Sequence, residues 1–174
     1  MWVFGFGSLV WNPGFPYAEA RVATLAGYAR RFCVHTHDHR GTWQCPGLVL
    51  GLVPAGGEVC RGMGFRVAPG REAEAQAYLD RRELGDSVYE RAWLPVEVGG
   101  REETALTYVA NPEHPRCRLD FSVREAAAII QRATGPSGPN TEYVARTREG
   151  LLAIGVREPH LEALAEQLGL PADA

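Results

Sequence analysis

The sequence contains no lysine, and all 18 of its basic side chains are arginines. This absence excludes a lysine Schiff base, a lysine general base and the phosphate-binding lysine of Walker-type nucleotide sites. A net charge of −3 and an isoelectric point near 6.0 also argue against a nucleic-acid-binding protein, which usually carries a basic surface. We therefore expect neither lysine chemistry nor a nucleic-acid partner.

Long apolar runs and paired cysteines are absent as well. No run approaches the roughly 20 residues that a membrane helix requires, and no basic stretch precedes the apolar opening as in a secretory signal. The four cysteines follow no metal-ligand spacing such as C-x-x-C. These absences predict a cytoplasmic protein without a membrane partner, with reduced and buried thiols at Cys33, Cys45, Cys60 and Cys117.

At 174 residues and 45% hydrophobic, the chain is long enough for one domain, which we expect to span residues 1–174. Its first two thirds are mostly strand-like. Gly27 divides two predicted strands, and the glycine pairs in 55–58 and 99–100 predict hairpin turns. The predicted strands are 2–9, 20–26, 28–38, 47–54, 59–67, 93–98 and 103–109.

Helices interrupt this pattern once and then finish the chain. Residues 72–84 are good helix formers that stop at Gly85, and Ser122 with Glu125 forms a capping-box pattern. Asn140 can cap a third helix, and Pro159 lies near the start of a fourth. Many short antiparallel strands without βαβ alternation predict an α+β fold, with a closed or partly closed sheet and helices packed outside.

The opening strand is interrupted by Gly5 and Gly7 and followed by the hydroxyl of Ser8. Two glycines so close together let the backbone turn tightly and approach a ligand, and successive amides there can bind an anion. A purely structural turn is the alternative. Val10 replaces the third glycine of a dinucleotide-binding fingerprint, and Ser8 lacks the flanking glycines of a nucleophile elbow.

Three histidines alternate along one predicted strand, at His35, His37 and His39. They share a strand face, which allows a metal site. However, no carboxylate follows within residues 41–44, and imidazoles in a line do not converge on one ion. We favour a solvated or hydrogen-bonding face, and expect no metal.

Glu83 lies in the last turn of the first predicted helix, where the partial negative charge of the helix end disfavours a carboxylate. Such a position raises the proton affinity of the carboxylate, as suits a general base. The alternative is a surface glutamate paired with Arg81 or Arg82.

Four separated motifs resemble those of the ChaC-like, glutathione-specific γ-glutamylcyclotransferases, in order and over nearly the whole chain. The first is the opening strand with its Gly-Ser-Leu loop, and the last is the Gly-Pro-rich segment before Tyr143. The motifs span residues 2–11, 39–47, 78–89 and 135–143.

This resemblance implies a small, mainly antiparallel β-barrel with flanking helices, and an intramolecular reaction that needs no cofactor. The α-amine of glutathione attacks its own γ-carbonyl, which yields 5-oxoproline and cysteinylglycine. By the matching positions, Glu83 is the general base. The implied substrate-binding residues are Val3, Phe4, Gly5, Phe6, Gly7, Ser8, Leu9 and, less directly, Tyr143.

Two positions depart from the family pattern. Phe6 stands where a tyrosine is usual, and Ser87 with Val88 replaces a glycine pair. These changes leave other γ-glutamyl amino acids or amines open as substrates. A non-catalytic module that binds γ-glutamyl ligands and a serine hydrolase using Ser8 are the remaining alternatives.

Overall fold

The computed structural model describes residues 1–85 and 87–171. Its main strands are β1 (Trp2–Gly5), β2 (Tyr17–Thr36), β3 (Gly47–Val67), β4 (Tyr89–Val98) and β5 (Arg101–Ala110). They form a closed barrel in the order β1-β3-β2-β4-β5. β1 pairs antiparallel with β3 and parallel with β5, and the pairs β2–β4 and β4–β5 are antiparallel. The expected small, mainly antiparallel barrel is confirmed.

The helices are α1 (Glu72–Glu83), α2 (Val123–Arg132), α3 (Asn140–Ala153) and α4 (Pro159–Gln167). Two short strands, β6 (Thr134–Gly135) and β7 (Gly138–Pro139), pair with each other before α3. In the described part of the chain, no helix has the length and apolar character needed to cross a membrane.

The ends of the helices follow local signals in the sequence, with one exception. The capping box is present, since Glu125 N donates to Ser122 Oγ at 3.2 Å and Ser122 N donates to Glu125 Oε2 at 2.9 Å. The prediction that Asn140 caps α3 is wrong, because Pro139 occupies the N-cap position. The Asn140 amide instead bonds both backbone groups of Leu48, at 2.6 and 3.0 Å.

Two strand breaks predicted at glycines do not occur. β2 continues through Gly27 and β3 continues through residues 55–58, so the split at Gly27 and the first hairpin were wrong. Gly27 and Gly57 have φ of +78° and +82°, and a Cβ at either would meet no atom within 4 Å. The second hairpin is confirmed, with Gly99 and Gly100 both left-handed between β4 and β5.

The chain divides into two compact units, and the expectation of one domain stays a prediction. The first unit comprises Met1–Arg30 and Gly51–Asn111. Its core joins residues of β1, β3, β5 and α1 with two residues from the segment between β1 and β2, Leu9 and Phe15. The other members are Val3, Phe65, Val67, Ala75, Leu79, Leu106 and Tyr108. The second unit comprises Arg31–Leu50 and the chain from Pro112 onward, where α2, α3 and α4 pack against one another.

Candidate active site

The glycine-containing loop follows β1 directly, and its backbone is fixed from several sides. β1 ends at Gly5 and not at Leu9 as the sequence pattern predicted, and Ser8–Val10 form a 3-10 turn. Thr107 Oγ1 donates to the carbonyl of Phe4 at 3.0 Å. The 3-10 turn and the Thr107 bond restrain the backbone on either side of residues 5–7, just before the hydroxyl of Ser8.

Close approach explains the glycines beside this loop. A Cβ on Gly5 would lie 2.8 Å from Cβ of Leu9, and a Cβ on Gly62 of β3 would lie 2.2 Å from the carbonyl oxygen of Gly5. Side chains at these two positions are therefore excluded unless the backbone moves. The expectation that the loop amides cradle a ligand stays a prediction.

Arg30 supports the same loop from inside the first unit. It is almost fully buried, and its Nη1 donates to the carbonyl of Phe6 at 2.9 Å while Nη2 contacts Cys60 Sγ at 3.3 Å. A buried guanidinium on a carbonyl is a strong, charge-assisted contact. No local sequence pattern predicts this contact, because Arg30 and Phe6 are brought together only by the barrel.

Ser8 is half-buried, and its Oγ accepts a hydrogen bond of 2.8 Å from Nη2 of Arg82. Arginine stays protonated in proteins, so this neighbour cannot take the hydroxyl proton. The contact orients the hydroxyl without activating it as a nucleophile. It gives no support to the serine hydrolase alternative.

Glu83 is the last residue of α1, with 19% of its side chain exposed. Its Oε1 lies 3.3 Å from Nε of Arg82, so one of the two arginine pairings considered from the sequence is present. Arg81 is exposed on the same helix. The carboxylate is thus close to the residue that binds Ser8, while its role as a base stays a prediction.

Asp80 lies one helical turn before Glu83, and both of its oxygens are engaged. The hydroxyl of Tyr108 donates to Oδ1 at 2.8 Å, and Nη1 of Arg91 donates to Oδ2 at 2.8 Å. Burial raises the pKa of Tyr108 above its usual range, and the charges of Asp80 and Glu83 add to this effect. Asp80 is therefore the weaker candidate base, and Asp86, another carboxylate near Glu83 in sequence, lies outside the described residues.

Tyr143 belongs to the second unit, on α3, and is buried. Its hydroxyl accepts a hydrogen bond of 3.3 Å from the backbone of Leu50, and its ring meets that of Phe32 edge-on. These contacts hold the side chain in place within its unit. Its contact with a substrate stays a prediction.

The histidine strand face shows aromatic neighbours. The ring centroids of His35 and Phe121 are 5.5 Å apart, and those of His37 and Trp43 are 4.1 Å apart. Burial lowers the pKa of His35, and the charges of nearby Arg118 and Arg116 lower it further. Across residues 1–85 and 87–171, no three His, Cys, Asp or Glu side chains are grouped so as to hold a metal ion.

Comparisons with known proteins identify the class of this barrel. A model of the ChaC-like protein family matches residues 1–169, and the chain belongs to that family. It is 30% identical over 165 residues to the glutathione-specific gamma-glutamylcyclotransferase of Escherichia coli (strain K12), covering 94% of this chain and 71% of that protein. It is 34% identical over 174 residues to glutathione-specific gamma-glutamylcyclotransferase 1 of Rattus norvegicus, covering 97% and 78%.

A solved structure of an enzyme named for the same activity as these relatives has a similar fold. The crystal structure of a gamma-glutamyl cyclotransferase specific to glutathione from yeast matches with a TM-score of 0.86 at 25% identity, over 97% of both chains. The barrel and its helices are therefore a fold that an enzyme of this kind uses.

Proposed function

We propose that this protein is a γ-glutamylcyclotransferase that converts glutathione to 5-oxoproline and cysteinylglycine. The α-amino nitrogen attacks the γ-carbonyl carbon of the same molecule, and a new C–N bond closes the five-membered lactam. The amide bond to cysteine breaks, and its nitrogen leaves as the amine of cysteinylglycine. No oxidant, metal or cofactor is required, because the nucleophile is tethered to its electrophile.

Glu83 is the proposed general base. Its carboxylate accepts a proton from the α-ammonium group, so that the free amine can attack. A second proton leaves the same nitrogen as the lactam amide forms, and the leaving nitrogen takes up two protons in turn and departs as the ammonium group of cysteinylglycine. The carboxylate is thereby regenerated at the end of the cycle. The observation that carries this assignment is the arrangement at the end of α1, where Arg82 contacts both Glu83 and Ser8. It connects the only residue proposed for proton transfer with the loop proposed for binding.

The loop from Val3 to Leu9 is the proposed substrate-binding segment, with Gly5, Phe6, Gly7 and Ser8 at its centre. Val3 and Phe4 have no exposed side-chain surface, so their contribution to binding comes from the backbone. Backbone amides of such a loop can stabilise the negative charge that develops on the γ-carbonyl oxygen. Tyr143 is proposed as a further substrate contact.

Residues 1–174 are proposed to form one cyclotransferase domain, which the family match over 1–169 supports. A cytoplasmic location fits the absence of any disulfide among the four cysteines, all of which lie in the described part of the chain. The proposed partner is the small-molecule substrate alone, with no nucleic acid or membrane.

The test is to incubate the purified protein with glutathione and to quantify 5-oxoproline and cysteinylglycine by mass spectrometry. Equal amounts of both products are expected. Glutathione acetylated on its α-nitrogen is the matched control, because it lacks the attacking amine and must give no product. Product from γ-glutamylalanine but not from glutathione would reassign the substrate, and no product from either would indicate a binding module.

A further inference from the structure

Arg82 makes contacts with four groups of the first unit. Nη2 donates to Ser8 Oγ at 2.8 Å, and Nη1 donates to the carbonyl of Asn12 at 2.8 Å and to the hydroxyl of Tyr78 at 3.1 Å. Nε faces Oε1 of Glu83 at 3.3 Å. One planar guanidinium therefore holds both ends of the turn that follows β1 and also touches the proposed base.

The surroundings of Arg82 limit its freedom. Its side chain is 18% exposed. The turn that it contacts is closed by a hydrogen bond of 2.8 Å, which Asn12 N donates to the backbone carbonyl of Ser8. Tyr78 is in turn packed against Gly14, where a Cβ would lie 2.0 Å from the tyrosine hydroxyl. A planar guanidinium has donors at fixed angles, so its bonds to one group restrict where it can hold another. A lysine ammonium on a flexible stem does not impose such a restriction.

We propose that Arg82 is a positioning residue for the cyclisation. It sets the place of Glu83 relative to the Ser8 turn (Ser8–Val10 with Trp11 and Asn12), and its charge favours the deprotonated carboxylate. This inference rests on the proposed function, since it assigns Arg82 a role in that same site. Arg82 acts through Glu83 and Ser8 and needs no contact with the reacting atoms.

Two substitutions separate the effect of Arg82 on the position of Glu83 from the effect of its charge on the Glu83 carboxylate. Arg82→Lys keeps the charge but loses the fork, and Arg82→Gln loses both. Both should lower kcat by about 10- to 100-fold, because small misplacements of a reacting group are costly. KM should change by less than about threefold, because Arg30 and Thr107 still hold the loop carbonyls. Arg81→Lys and Arg81→Gln, at the exposed neighbouring position, are the matched controls and should leave kcat unchanged.

The pH profile distinguishes positioning from a merely structural role. The acidic limb of kcat should move to higher pH by about one unit in Arg82→Gln and stay in place in Arg82→Lys. Normal kcat in both variants, or an acidic limb that does not move in Arg82→Gln, would overturn the inference. The inference would also be overturned if the Arg82 variants lost thermal stability but kept the wild-type pH profile of kcat.

Hydrogen–deuterium exchange gives a readout that does not depend on turnover. Peptides that cover the Ser8 turn should exchange faster in Arg82→Lys than in wild type or Arg81→Lys. Unchanged exchange in an active enzyme overturns this inference alone. Wild-type protein that forms no 5-oxoproline overturns the proposed function, and with it the catalytic role of Arg82.

Discussion

Tyr108 donates a hydrogen bond of 2.8 Å to Oδ1 of Asp80, one helical turn before Glu83 on α1. Tyr108 is 2% exposed on β5, so this bond ties the end of the helix to the barrel. Because Arg91 holds the second oxygen of Asp80, we interpret Asp80 as an anchor for α1 and not as a second base.

Tyr108→Phe should therefore act on stability more than on chemistry. Loss of this hydrogen bond should lower the free energy of unfolding by about 1 kcal/mol, and kcat should fall by less than about tenfold. Urea unfolding and steady-state kinetics measure the two effects. Tyr17→Phe, at a half-exposed ring, is the control. A loss of kcat as large as that of a Glu83 variant would instead place the phenol in the reaction.

Glu83→Gln should remove the proposed base while preserving shape. We expect kcat to fall by about 10²–10⁴-fold, toward the upper end because the same carboxylate serves both proton transfers. Glutathione binding, measured by calorimetry, should change much less. The acidic limb of the wild-type kcat profile should be absent from the residual activity.

The matched control for Glu83→Gln is Glu74→Gln, an exposed glutamate of the same helix paired with Arg71. It should leave turnover unchanged. If Glu83→Gln keeps more than about a tenth of the wild-type kcat, the assignment is wrong, and Asp80 and Asp86 become the next candidates.

Gly14→Ala should disturb the site through Tyr78. Gly14 has φ of +74°, and the added methyl would meet the tyrosine ring and hydroxyl at 2.0–3.0 Å. The left-handed backbone alone costs an alanine about 1 kcal/mol. Gly70→Ala is the control that isolates this contribution, since Gly70 has φ of +77° and open space around it. Gly14→Ala should be clearly less stable than Gly70→Ala and less active; equal thermal shifts would show that the contact with Tyr78 is easily relieved.

His35 should make the protein less stable in acid. Because burial lowers its pKa in the folded state, the unfolded chain binds the proton more readily. This contribution to stability is complete above the ordinary histidine pKa of about 6.5 and is lost as the pH falls below it. His35→Gln should lose less unfolding free energy than wild type between about pH 7.5 and about pH 5.5. If wild type and His35→Gln lost the same unfolding free energy over this pH range, the lowered pKa of His35 would be contradicted.

Dialysis against EDTA should leave turnover unchanged, because the tethered amine needs no Lewis acid. His35→Ala and His37→Ala should likewise keep kcat within about threefold, as expected for residues outside the chemistry. Activity that is lost on dialysis and restored by zinc alone would show that the histidine strand binds a functional metal.

The features predicted correctly from short sequence patterns are those that depend on residues close together in the chain. The Ser122 capping box, the left-handed pair Gly99-Gly100 and the end of α1 depend on neighbours a few residues apart, and all three are present. The strand break predicted at Gly27 was wrong because a glycine with positive φ and open space around its Cα is compatible with a strand that continues on both sides. Strand pairing is non-local, and the residue itself does not reveal it.

The supports of the candidate site could not be read from the sequence for the same reason. Arg30 meets the carbonyl of Phe6, and Tyr108 meets Asp80, only after the barrel has brought distant segments together. Arg82 carried a partial signal, because its spacing from Tyr78 places both on one face of α1. Its contact with Ser8 depends on where the turn after β1 lies.

The close approach of Gly62 to the carbonyl oxygen of Gly5 has a consequence for redesign of this enzyme. Every side chain larger than hydrogen at position 62 pushes on the backbone of the loop itself, so libraries that include this position would consist mainly of misfolded members. Substrate range should instead be diversified at Phe6, whose side chain can change size while the carbonyl stays anchored to Arg30. A library that varies Phe6 alone, with Gly5 and Gly62 unchanged, would alter the side chains of the loop while preserving its backbone conformation.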